Sequence, residues 1–205
     1  MALRVVAGSA RGRRLEAPPG DRVRPTSDRV REAVFNALDS QGLVVGATVL
    51  DLFAGSGALA IEALSRGASR AVLVDVAAPA LASMRRNLAT AGFEDRAVVV
   101  RSDALDHLRR SARAASDDDG DDRAGARVDL VLADPPYAFD DWSELWPLLA
   151  AVAPGGTVVA ESDRPVAAPA GATVLREKRY GGTVVTIISL AGPGPHDPQE
   201  PEDLT

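Results

Sequence analysis

Asp129-Leu-Val-Leu-Ala-Asp-Pro-Pro-Tyr137 is the stretch from which the fold can be read. Asp129 opens a short apolar run and Asp134 closes it, with two prolines and a tyrosine directly behind. A run bounded in this way reads as a strand buried on both faces, the sort found in the middle of a parallel sheet. Pro135 and Pro136 terminate it, because neither donates to a ladder and both fix φ. Asp134 is therefore expected on stiff backbone at a strand's carboxyl end, where open α/β sheets bind ligands. A carboxylate, carbonyls held by prolines and the ring of Tyr137 together suit a flat molecule bearing an NH2 group. The plainer alternative is a solvated Asp followed by a Pro-Pro turn.

Working outward, strands are expected at Val49–Phe53, Ala71–Asp75, Ala97–Arg101 and Asp129–Ala133. They alternate with helices at Ala58–Arg66, Ala80–Ala91 and Ala104–Ala114, with Gly67 and Gly92 as stops. Trp142, Leu145, Trp146 and Leu149 form a further helical stripe, with a kink expected at Pro147 and the tryptophans read as core. Strands at Thr157–Ala160, Thr173–Lys178 and Thr183–Leu190 close the chain, the last two hinged at Tyr180-Gly181-Gly182. Repeated βα units predict an α/β, Rossmann-like architecture. Its sheet is mostly parallel and seven-stranded, with helices on both faces and an antiparallel C-terminal hairpin.

Ahead of this domain, assigned to 41–191, residues 1–40 read as a basic extension. Leu3–Ala7 and Arg13–Glu16 bracket a Gly-Ser-Ala-Arg-Gly turn, a β-hairpin with Arg11, Arg13 and Arg14 near its tip. Arg24-Pro25-Thr26 leads into a helix over Ser27–Asp39, with Thr26 as N-cap. Val30, Val34, Ala37 and Leu38 form its apolar stripe, and Arg29, Arg31 and Glu32 are placed outside. Residues 115–126, rich in Asp, Gly, Ala and Arg, and the acidic, Pro-rich tail 192–205 are expected to be disordered.

The 205 residues suit one such domain with a sizeable core. There is no cysteine, which excludes disulfides, thiolate zinc sites and cysteine nucleophiles. His107 and His196 stand far apart, so no metal site is expected. Val44–Leu64 is the most apolar stretch, but Asp51, Gly55 and Gly57 interrupt it, and it reads as strand, loop and helix instead of a membrane span. Met1–Ser9 lack the apolar core of a secretory signal, and the expectation is a cytoplasmic protein. The net charge of −6 is unevenly spread. Nine acids sit in 116–122 and 191–205, and setting them aside leaves 20 acids against 23 bases. The first 31 residues hold eight arginines against Glu16, Asp21 and Asp28, a one-sided arm that suits phosphate. A solvated arginine-rich surface is the plainer reading.

Asp51-Leu-Phe-Ala-Gly55-Ser-Gly57-Ala-Leu-Ala60 follows a strand and opens a helix. It satisfies G-x-G-x-x-A, with Asp75 eighteen residues past Gly57, and by pattern alone it is a dinucleotide fingerprint. Asp75 is placed to grip ribose hydroxyls. Two features favour S-adenosylmethionine over NAD. Asp51 puts a negative charge toward the ligand, which suits a sulfonium and an ammonium and repels pyrophosphate. Asp103, after the third strand, is placed to accept from an adenine amino group.

With these residues in hand, the chain resembles the class I S-adenosylmethionine-dependent methyltransferases. Within them it is similar to the bacterial 16S ribosomal RNA guanine-N2 methyltransferase family, over about residues 3–190. The resemblance is carried by Arg4-Val-Val-Ala-Gly8, Arg11-Gly-Arg13, Arg24-Pro-Thr-Ser-Asp-Arg-Val-Arg-Glu32, Asp51 to Gly57, Glu62-Ala-Leu-Ser-Arg66, Asn87, Asp134 to Tyr137 and Glu177-Lys-Arg-Tyr-Gly181. Asp75 departs from it, since the family more often has Glu there, and the acidic insertion near Asp117 is atypical. The resemblance implies methyl transfer from S-adenosylmethionine to the exocyclic N2 of a specific guanine in small-subunit rRNA, by a monomer acting on the small ribosomal subunit. Asp134, Pro135, Pro136 and Tyr137 would be catalytic. Asp51, Phe53, Gly55, Gly57, Asp75 and Asp103 would hold the cofactor. Arg11, Arg13, Arg14, Arg24, Thr26 and Arg29 would face RNA.

The residues leave rivals open. An adenine-N6 methylase of DNA or RNA shares the Asp-Pro-Pro-Tyr turn, although a carboxylate matches guanine's adjacent N1-H and N2-H donors better. A protein-glutamine methylase fits less well, because glutamine's carbonyl wants a donor. An NAD dehydrogenase would leave that turn without a role. A non-catalytic ribosome-assembly RNA binder would account for the basic arm alone.

Overall fold

The strand and helix boundaries follow the punctuation by Gly and Pro closely. The structure, a computed structural model, describes residues 3–19, 28–116 and 127–192. Seven strands run in chain order: β1 Thr48–Leu52, β2 Arg70–Asp75, β3 Ala97–Arg101, β4 Leu130–Ala133, β5 Thr157–Ser162, β6 Thr173–Tyr180 and β7 Thr183–Ser189. The helices are α1 Asp28–Asp39, α2 Ala58–Ser65, α3 Ala78–Ala91, α4 Ala104–Ser116 and α5 Trp142–Val152. One sheet has the order β3-β2-β1-β4-β5-β7-β6. The first five strands pair in parallel, and β7 joins β5 and β6 antiparallel, with an irregularity in β6 between Val174 and Arg176.

Period-two alternation sorts the strand side chains onto two faces. Val49, Leu73, Leu130, Leu132 and Ile187 pack with α1, α2 and α3, while Leu50, Leu52, Val74, Val131 and Ile188 pack with α4 and α5. All four β4 residues are buried, as expected for a central parallel strand. The order reverses between β1 and β4, which makes their carboxyl ends the topological switch point.

Three expectations need correction. Ala115 and Ser116, placed in the unpatterned stretch, belong to α4. The segment Leu3–Glu16 is less regular than a hairpin of two strands. It has one antiparallel bridge, Arg4 with Arg14, and ladder-like bonds from Val5 N to the Arg13 carbonyl and from Leu15 N to the Leu3 carbonyl. Arg31, placed outside, is 1% exposed. Its guanidinium pairs with Asp28 at 2.9 Å and Glu62 at 3.6 Å, and donates to the Arg4 carbonyl. Arg29 and Glu32 are exposed as expected. Arg24, Thr26, residues 117–126 and residues 193–205 lie outside the described residues.

The basic extension shares the main core. Val5, Ala10, Leu15, Val34, Phe35 and Leu38 are buried in one cluster with α2 and α3. The carboxylate of Glu62, fully buried in α2, accepts from Val6 N at 2.7 Å and Ala7 N at 3.0 Å, and pairs with Arg66 Nε at 2.8 Å. Gly8 then turns with φ +80°, and Ser9 N donates to the Ser65 carbonyl at 2.8 Å. A Cβ on Gly8 would stand 1.9 Å from that carbonyl oxygen, so only glycine lets the chain pass.

Candidate cofactor and substrate site

The loop between β1 and α2 is built so that a backbone with no side chain in the way can approach a ligand. Gly55 (φ +53°) and Gly57 (φ +76°) are both left-handed. A Cβ at Gly57 would press to 2.8 Å from Leu73, so the turn requires glycine there. Phe53 also has positive φ (+60°), an unusual conformation for a bulky residue. Its ring meets Phe139 edge-on at 5.2 Å, and Phe139 in turn meets Trp142 at 5.5 Å. The loop is held by Ala54 N on the Val74 carbonyl (3.0 Å) and Gly55 N on Asp75 Oδ2 (2.9 Å).

Gly57 has no side chain with which to cap α2. Asp51 supplies that function from within β1, its Oδ2 accepting from Ala60 N at 3.0 Å. Asp51 is 1% exposed, and its Oδ1 is buried without a hydrogen-bond partner. Burial first, then the nearby charges of Asp134 and Asp75, push its pKa up to about 8 against the Ala60 bond, which lowers it. The sequence suggests an ionised Asp51 facing the ligand. In the folded chain burial and the neighbouring acids work against that ionised form.

The remaining acids stand at successive strand ends. Asp75 ends β2 and also accepts from Ala77 N at 2.8 Å. Asp103 follows β3 and caps α4, its Oδ1 accepting from Leu105 N (2.9 Å) and Asp106 N (3.2 Å). Asp134 comes directly after β4 and is half-buried, Pro135 is buried, and Pro136 and Tyr137 are exposed. Tyr137, 51% exposed, brings its hydroxyl to 3.3 Å from Thr183 Oγ1 at the start of β7. An exposed ring tethered by its hydroxyl is a platform on which a base can stack. Asp75 and Asp134 thus lie close enough to Asp51 to act on its carboxyl, beside the glycine loop at the switch point. This acidic set, with an unpartnered buried oxygen on Asp51, suits a ligand whose positive charge favours the ionised form of Asp51, and does not suit a pyrophosphate. The donor set therefore fits S-adenosylmethionine.

Of the residues assigned to RNA, Arg11, Arg14 and Arg29 are exposed. Arg13, also exposed, donates to the Thr90 carbonyl near the end of α3, so part of its hydrogen-bonding capacity serves to dock the arm. Sequence reasoning gave no role to Thr183 or Asn87. Thr183 is visible only once the β6–β7 hairpin is folded. Asn87 carried a signal, because it occupies the apolar stripe of α3 with Ala80, Met84, Leu88 and Ala91. Among the described residues no group of three or more His, Asp or Glu could hold a metal ion, and no helix is long and apolar enough to cross a membrane.

Comparison with known proteins gives four consistent findings. A family model described as Conserved hypothetical protein 95 matches residues 3–189. The Bacillus subtilis (strain 168) protein YlbH, provisionally named an rRNA methyltransferase, is 36% identical over 196 residues, 93% of this chain and 100% of its own. Ribosomal RNA small subunit methyltransferase D of Escherichia coli (strain K12) is 39% identical over 135 residues, 66% of this chain and 60% of that protein. The solved structure of yhhF from Escherichia coli superposes with a TM-score of 0.76 at 33% identity, covering 94% of this chain and 100% of that one.

Proposed function

The chain belongs to the Conserved hypothetical protein 95 family. From that membership we propose that it is an S-adenosylmethionine-dependent RNA methyltransferase acting on the exocyclic N2 of a guanine in the 16S rRNA of the small ribosomal subunit. The observation that carries the reading is the Asp134-Pro135-Pro136-Tyr137 turn, set at the carboxyl end of β4 beside the glycine loop of β1. The names of the relatives, rRNA methyltransferase in both cases, support the substrate class.

Bound S-adenosylmethionine supplies an electrophilic methyl group already activated by its sulfonium. Gly55, Gly57, Asp75 and Asp103 are the residues to hold it, with Phe53 lining the loop and the Asp51 carboxyl below. What the protein must add concerns the acceptor, whose amino lone pair is delocalised into the ring. Asp134 and the Pro135 carbonyl accept hydrogen bonds from the NH2, localise that pair and fix its direction. Tyr137 stacks on the base turned out of its helix. Positioning and electrostatics make the main contribution. The exposed arginines 11, 14 and 29 face the RNA backbone.

Mass-spectrometric mapping of small-subunit rRNA with and without the protein tests the reading. It expects one N2-methylguanine to disappear in its absence. Loss of an N6-methyladenine instead would move the target base, and unchanged rRNA would end the proposal. Calorimetry with S-adenosylmethionine, with NAD as the control, tests the cofactor separately.

A further inference from the structure

Asn87 lies on the buried face of α3, at 1% exposure, and its amide is shared by two segments with different duties. Oδ1 accepts from Glu16 N at 2.8 Å, and Nδ2 donates to the Glu16 carbonyl at 2.9 Å and to the Ser56 carbonyl at 2.8 Å. Glu16 closes the bridged segment Leu3–Glu16 of the basic arm. Ser56 lies between the two left-handed glycines of the cofactor loop. Both amide protons are committed, and a buried group that loses such a partner is costly to leave unpaired. Gripping the N–H and C=O of one residue together fixes Glu16 as a neighbouring strand would. The third bond fixes the Ser56 peptide, which the flanking glycines would otherwise leave free to turn.

We infer that Asn87 is a positioning residue that couples the cofactor loop to the RNA-facing arm. A ligand that orders Ser56 orders Glu16 through one rigid amide, and RNA held on the arm stiffens the cofactor loop in return. The reciprocity is thermodynamic, because a coupling free energy acts equally in both directions. The arm is also attached through Arg13 on the Thr90 carbonyl of α3, and through Glu62 and Ser65 on α2, the helix whose N-cap is Gly57. The arm is therefore fixed on both flanks of the loop. The inference rests on the cofactor and substrate proposed above.

The test uses the full chain, S-adenosylhomocysteine as the unreactive ligand, and small subunits lacking the modification. Saturating S-adenosylhomocysteine is expected to slow amide exchange at Leu15 and Glu16. It is also expected to tighten small-subunit binding about fivefold or more, the lower end of ordinary coupling. In Asn87→Ala both affinities fall, but their ratio with and without the second ligand falls to about one. A purely structural role predicts lower affinities and a lower Tm with the ratio preserved, and that result would overturn the inference. So would unchanged exchange at Leu15 and Glu16 in the saturated wild-type protein, a measurement that needs no variant. Failure of S-adenosylhomocysteine to bind removes the cofactor reading and the inference together. Binding with an unresponsive arm removes the inference alone.

Discussion

Asp134 stands two residues past Leu132, the register partner of Asp51 on the adjacent parallel strand, and its charge helps keep the proton on Asp51. The carboxyl of Asp51 is raised in the folded state from an ordinary 3.8 to about 8, with burial as the larger cause. Between those values the folded chain binds a proton that the unfolded chain has lost, so this group's contribution to stability falls as pH rises through that window. Asp51→Asn removes the titration and keeps an acceptor for Ala60 N. The variant should therefore gain stability relative to wild type steadily from about pH 4 to pH 8 and no further above it. Thermal unfolding of both proteins across pH 4–9 checks this, and parallel curves would disprove the assignment.

Asp134→Ala should abolish measurable methyl transfer and leave S-adenosylmethionine affinity intact, because the cofactor residues lie on other strands. Asp134→Asn discriminates between bases. It turns one of two acceptors into a donor facing N1-H or N2-H of guanine, at a cost of about 1–3 kcal/mol, or roughly ten- to hundredfold in rate. With adenine the amide would donate to N1 and accept from N6-H, and the rate would change little. Single-turnover rates on small subunits lacking the modification decide it. Full activity in Asp134→Asn would sink the two-acceptor argument.

Neutralising Arg11 and Arg14 should weaken binding to small subunits without changing S-adenosylmethionine affinity. Each arginine–phosphate pair removed should flatten the log-log salt dependence by roughly 0.7 to 0.9. Arg13, bonded to the Thr90 carbonyl, should show in addition a loss of stability. A salt slope unchanged in Arg11→Ala/Arg14→Ala would assign those two side chains to solubility.

Gly8→Ala should detach the arm from α2. The added Cβ would overlap the Ser65 carbonyl, and the residue would have to hold φ +80°. Left-handed strain alone is worth about 1–3 kcal/mol. Denaturant unfolding should show at least that loss, and Gly12→Ala, at φ +85° with nothing within 4 Å of the added Cβ, should show less. Equal losses at the two positions would mean that strain, not the close approach to Ser65, sets the cost.

Much of this was legible because glycine and proline punctuate a regular βα alternation. Gly92 stops α3, Pro135 follows β4, and the strand bounds agree to within a residue or two at most ends. The apolar face of α1 shows the limit. Its sequence points to Val30, Val34, Ala37 and Leu38, whereas the buried set is Arg31, Val34, Phe35, Ala37 and Leu38, rotated by about one position. Arg31 looks like a surface residue until Glu62, on another helix, is known to neutralise it. Asp51 posed the reverse difficulty. Its place after a strand was readable, but its protonation depends first on burial and then on Asp134 and Asp75, all of them set by the folded sheet. Local pattern shows where an acid sits, and the fold determines its charge.

The buried carboxylate of Glu62 also imposes an order of events on a chain made from its N-terminus. Val6 and Ala7 are synthesised more than fifty residues before the acid that receives their N–H groups. Glu16 must wait longer still, for Asn87. Until α2 and α3 have emerged, Val5, Ala10 and Leu15 lack most of the cluster in which they are buried. A segment made this far ahead of its partners waits for them to settle, and closing it over such long separations carries the loop-entropy cost that slows folding.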